Sequence, residues 1–108
     1  NNPGQISSAL HTTSSSGSTV NYKAKSITNE TTEFHLYSMI WTADSITFLL
    51  DDVAYYVYNP STKNDQTWPF YNKQFIILNV AVGGNLGGTI DPNFTSSTME
   101  IDYVRVYQ

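Results

Sequence analysis

Phe75-Ile76-Ile77-Leu78-Asn79-Val80-Ala81-Val82 is the stretch on which the fold turns. Successive side chains of a strand point to opposite faces, so this run divides into two rows. One row, Ile76, Leu78, Val80 and Val82, is wholly apolar and suits the space between two sheets. The other holds Phe75, Ile77, Asn79 and Ala81, with an amide in its middle. A buried amide left without hydrogen bonds costs about 1–3 kcal/mol, so Asn79 is either paired inside or facing a wet cleft.

On either side of this run the chain continues as short stretches rich in β-branched and aromatic residues, with almost nothing at helical period. The pattern predicts an all-β fold with strands near 6–12, 19–26, 34–41, 45–50, 54–58, 75–82 and 99–107. Thr42-Ala43-Asp44 and Asp51-Asp52 bracket a tight meander. Residues 59–70 and 83–97 read as long polar loops, of the kind that carry function in compact sheet proteins. Residues 12–19 form a Ser/Thr/Gly patch that reads as a loop, and no internal repeat is present.

Composition narrows the function classes. At 108 residues, 40% hydrophobic and 14% aromatic, the chain has material for a packed core and is one domain or part of one, with no second domain. Five basic and nine acidic residues give a net charge of −4 without a run of one sign, so nucleic acid is excluded as an expected partner. No apolar stretch approaches the roughly 20 residues that cross a bilayer, and Asn1-Asn2-Pro3-Gly4 has no signal-peptide pattern, so no membrane partner is expected. Cysteine is absent, which excludes a disulfide framework and a thiolate metal site but leaves the compartment open. Asn29-Glu30-Thr31 and Asn93-Phe94-Thr95 satisfy the N-glycosylation pattern, a triplet common by chance in such a chain.

Three blocks carry a family resemblance. They are Phe34-His35-Leu36-Tyr37-Ser38-Met39-Ile40-Trp41-Thr42 with Ile46-Thr47-Phe48-Leu49-Leu50-Asp51; Trp68-Pro69-Phe70 with the run from Phe75 to Asn85; and the closing run from Met99 to Gln108. In order and spacing they resemble glycoside hydrolase family 16, over nearly the whole chain from Gln5 onward. The resemblance implies a concanavalin-like jelly-roll β-sandwich whose concave face is a glycan cleft, present here as roughly the second half of the domain. Leu78-Asn79-Val80-Ala81-Val82-Gly83-Gly84 is closer to the laminarinase-like β-1,3-glucanase branch than to agarases, carrageenases or plant transglycosylases. Leu86 departs from the pattern, since many relatives place an aromatic residue before the glycine pair that is here Gly87-Gly88.

Retaining hydrolysis of a glycoside needs two carboxyl groups about 5–5.5 Å apart. In the resembled family Glu-x-Asp-x-x-Glu on one cleft strand supplies them, a bulge bringing the second glutamate onto the face of the first two acids. None of the nine acids here forms that motif. Glu30 and Glu33 lie in a polar connection, Asp51-Asp52 at a turn, and Asp44, Asp65 and Asp91 are isolated. The nearest match, Glu100-Ile101-Asp102, is followed at the decisive position by Arg105. The expected enzyme is therefore an endo-β-1,3-glucanase acting on laminarin-type glucan, with no required cofactor, completed by an N-terminal half carrying the acids as a further segment or chain. Self-pairing is the remaining way to cover the exposed edges. The alternatives are a non-catalytic, lectin-like β-glucan-binding module and a purely structural all-β domain. The resemblance implies a secreted or extracellular protein.

The same resemblance assigns candidate residues. His11 matches a sugar-contacting position on the cleft strand, its alternative being a surface histidine. Asn79 matches a cleft amide, which the face reading permits independently. Trp68 offers a flat ring for pyranose stacking or a lid over the sandwich edge. Trp41 could reach the cleft floor or belong to the core, and Gly83 and Gly84 suit a backbone with positive φ that lets Asn85 reach substrate. Asp102 matches an oxygen ligand of a structural calcium, whose other ligands lie outside this half. Its alternative is a carboxylate accepting backbone hydrogen bonds. His35, at the start of a strand, reads as structural.

Overall fold

The computed structural model describes residues 3–17 and 20–108, with the Leu86 side chain outside the described set. Thr19, the expected start of the second strand, and the first two residues of the Asn1-Asn2-Pro3-Gly4 start also lie outside it. The chain divides into two compact units, Asn2–Gln74 and Phe75–Gln108.

The first unit holds five strands: β1 (Gln5–Leu10), β2 (Asn21–Ser26), β3 (Tyr37–Trp41), β4 (Ile46–Leu50) and β5 (Val53–Tyr58). β1 and β2 form an antiparallel pair, and β3-β4-β5 form an antiparallel meander. The all-β class read from the sequence holds in these five elements. Asp51 and Asp52, at φ 48° and 63°, make the two-residue turn between β4 and β5, closed by the Leu50–Val53 pair. Two positive φ values in a two-residue loop match the strand twist, and Asp tolerates that region better than most residues. Between β3 and β4 the Thr42 hydroxyl accepts from the backbone N–H groups of Asp44 and Ser45 at 3.2 and 3.0 Å.

Register fixes which side chains share a face. Trp41, Ile46 and Tyr58 stand in one cross-strand row, and Met39, Phe48 and Tyr56 in the next. A bulge follows: Phe48 pairs with Tyr56 but Leu49 with Ala54, leaving Tyr55 as the extra residue. Its hydroxyl lies 2.5 Å from that of Ser8 on β1 and ties the two sheets together.

The core is small and aromatic. Ile46, Leu10, Tyr58 and Trp68 are buried, with Phe48, Tyr56 and Phe70 packed against them. Trp68 lies over Tyr58 at 5.8 Å between ring centroids and 17° between planes, and Phe70 meets Trp68 edge-on at 5.3 Å. Residues 59–70, expected as a polar loop, end in this core. The Tyr58 hydroxyl donates to the Thr67 carbonyl at 2.7 Å, and the Trp68 N–H to the Asn64 carbonyl at 2.7 Å. A 3-10 turn, Pro69–Tyr71, closes the segment.

The second unit corrects the sequence reading. Residues 75–82 and 99–107, expected as strands, form no ladder among the described residues. Strand backbone needs N–H and C=O partners on a neighbouring strand, and no described residue pairs with these runs in a ladder. Their apolar side chains are exposed, Ile76 at 62% and Val82 at 52%. One helical turn, α1 (Gly84–Gly87), lies between them.

Candidate functional site

Burial alternates along β1 and continues past its end. Leu10 and Thr12 are each 7% exposed on the core side, so His11 between them is turned outward. Ser7 and Ala9 share that outer face, and on β2 they lie opposite Ala24 and Tyr22. Tyr22 was not singled out from the sequence. Strand parity against Ala9 is the signal that finds it.

Trp41 ends β3 directly opposite Ile46 and is 42% exposed, on the same side of the sheet as the core row. Trp68 is 3% exposed. Tyr58 covers one of its faces, Phe70 meets its ring, and the Lys63 ammonium lies 5.7 Å from the ring centroid. Of its two readings the packed one describes this geometry, and no open ring face is left for a pyranose.

In the second unit Asn79 is exposed within the unpaired run. Gly83 and Gly84 have φ of 71° and 74°, as expected. A Cβ on Gly83 would also stand 2.9 Å from the Ile90 side chain, so that position demands glycine on two counts. The turn they start is closed by Gly87 N–H to Gly83 O at 3.2 Å and Gly88 N–H to Gly84 O at 2.9 Å, and it presents Asn85 to solvent. Asp102 is exposed and belongs to no group of three or more His, Asp or Glu suited to a metal among the described residues. Calcium takes 6–8 oxygens, so these residues do not hold one unaided. Thus His11, Trp41 and Trp68 fall in one unit, and Asn79, Asn85 and Asp102 in the other.

His35, read as structural from the sequence, makes a charge contact with Asp51 in the first unit. His35 Nδ1 lies 2.8 Å from Asp51 Oδ2, while Asp51 Oδ1 accepts from the Leu36 N–H at 2.9 Å. The residues line an open hollow with Ser26, Ile27, Thr28 and Leu50. The Asp51 hydrogen bond holds the His35 pKa above its ordinary 6.5 against the opposing effect of desolvation, aided by the charges of Asp51 and Glu33. The same bond, with the Leu36 N–H, holds Asp51 below its ordinary 3.8. A raised histidine pKa stabilises the fold fully below 6.5, and the benefit disappears as pH rises through the folded value. A lowered aspartate pKa acts oppositely, its benefit being present above 3.8 and lost on acidification through the folded value. Thermal unfolding between about pH 5 and pH 8 should therefore show the native chain losing stability relative to His35→Gln as pH rises. Parallel curves would contradict the pairing.

The model of glycosyl hydrolases family 16 matches residues 1–105. Glucan endo-1,3-beta-glucosidase A1 of Niallia circulans is 31% identical over 121 residues, an alignment covering 98% of this chain and 17% of that protein. Keratan-sulfate endo-1,4-beta-galactosidase of Sphingobacterium multivorum is 38% identical, over 90% of this chain and 22% of that protein. The crystal structure of laminarinase from Flavobacterium sp. UMI-01 superposes with a TM-score of 0.61 at 38% identity, over 64% of this chain and 30% of that one. The jelly-roll β-sandwich class expected from the sequence stands with this likeness. The chain spans less than a third of the length of each of these proteins.

Proposed function

This chain belongs to glycosyl hydrolases family 16, and from that premise we propose that it is the C-terminal part of a single jelly-roll domain that hydrolyses β-1,3-glucosidic bonds in laminarin-type glucan. The observation that carries the reading is the 38% identity to a laminarinase together with a matching backbone. A galactosidase of equal identity shows that family likeness alone does not select glucan, and the glucan reading is supported by the laminarinase and glucan endo-1,3-beta-glucosidase likenesses.

The chemistry follows the retaining route, in which one carboxylate attacks the anomeric carbon while a carboxylic acid protonates the departing oxygen. That pair is assigned to an upstream Glu-x-Asp-x-x-Glu segment. The residues of this chain hold the polymer: His11, Asn79 and Asn85 offer hydrogen bonds to sugar hydroxyls, while Trp41, on the core side of its sheet, is the weaker candidate. Trp68 acts from within, by fixing the segment that leads toward Asn79. Calcium at Asp102 would require oxygen ligands from the upstream part, and the setting is extracellular, where polymeric glucan is found.

The full-length protein should release reducing ends from laminarin, whereas this 108-residue chain alone should release none. Binding of laminari-oligosaccharides by the full-length protein without hydrolysis would instead assign a lectin-like module.

A further inference from the structure

Tyr22 sits on the outer side of the β1–β2 pair, 51% exposed. Its cross-strand partner is Ala9, and two residues along, Ala24 faces Ser7. All three neighbours are too short to cover a phenol ring. His11 continues the Ser7–Ala9 row and stands diagonally from Tyr22, at roughly the 7–8 Å usual for such neighbours. Among the described residues, no hydrogen bond or ring contact engages the side chain of either Tyr22 or His11. On the opposite side of the same strands, Leu10 and the Ser8 hydroxyl are committed to the core and to Tyr55.

We infer that Tyr22 is a glucosyl-binding residue, its ring face the platform for one pyranose and His11 the adjoining hydrogen-bonding group. The chemistry matches on both sides. A β-linked glucopyranose carries its hydroxyls equatorially, so its ring faces present C–H groups suited to an aromatic surface. The hydroxyls at the rim then meet a neighbouring imidazole, which donates from one nitrogen and accepts at the other. Small residues around the platform let the sugar lie flat, which a bulky neighbour would prevent. This assignment rests on the glucan reading above and adds a contact that reading does not contain.

The test is calorimetric titration of the full-length protein with laminari-oligosaccharides of increasing length. Tyr22→Ala should weaken binding about tenfold for oligosaccharides long enough to reach the hairpin, and leave the shortest ones unchanged. Tyr22→Phe keeps the ring and should stay within about twofold of the unaltered protein, whereas Tyr22→Leu keeps bulk without a flat face and should match the alanine variant. Alanine and leucine variants that bind every length as tightly as the unaltered protein would overturn the Tyr22 assignment and leave the glucan reading standing. Failure of the unaltered protein to bind any of these oligosaccharides would overturn both.

Discussion

Trp68→Ala is expected to destabilise the Asn2–Gln74 unit by about 3–5 kcal/mol, the range for removing a large buried aromatic side chain. Small domains hold about 5–15 kcal/mol in all, so this single change removes a large share of the total. The size of the effect follows from the packing. Trp68 fills the space over Tyr58 and against Phe70, and Leu10 and Ile46 belong to the same cluster. Deleting the ring leaves a cavity beside side chains held by backbone hydrogen bonds and unable to collapse inward. Tyr58 is fixed by its bond to Thr67, and Ile46 by its place in the central strand of the meander. Trp68→Phe should cost clearly less, because a smaller ring can still stack on Tyr58. Denaturant unfolding followed by far-UV circular dichroism reads both. A loss below about 1 kcal/mol for the alanine variant would show that Trp68 is not core.

The five strands of the first unit were legible because each finds its pairing partner within the chain itself, so the β-branched and aromatic pattern and the pairing agree. The Asp51-Asp52 turn was legible as a turn for the same local reason, although its partnership with His35 was not. A contact between residues 35 and 51 depends on the register of β3 against β4, which no local pattern states. Trp68 shows a different limit. Its polar, loop-like surroundings conceal the fact that Tyr58, at the end of β5, lies beneath it. Tyr22 carries no local mark of its outward face, which its parity against Ala9 reveals only once the hairpin register is known. The run from Phe75 to Val82 had the clearest strand pattern of all and formed no strand. Its apolar row presupposes a neighbour, and a sequence pattern records that requirement without supplying the neighbour.

That run carries the second large expectation. Ile76, Leu78, Val80 and Val82 are all about half exposed or more, and covering each would contribute about 1.5–3 kcal/mol. In the full-length protein the run is expected to pair as a strand and seat this row between two sheets, with Asn79 on the side facing the cleft. The 99–107 run, with Ile101, Tyr103 and Val104 similarly exposed, is expected to pair as well. Backbone amides that exchange freely without a partner become protected in a ladder, by about a thousandfold or more when the strand lies in a stable core.

The decisive comparison is therefore amide hydrogen exchange of residues 75–82, measured on the 108-residue chain and on the full-length protein. Fast exchange in the first and slow exchange in the second is the expected result. Equal rates in the two would mean that no upstream sheet receives this run, and that the chain is not the second half of a glucan-gripping sandwich.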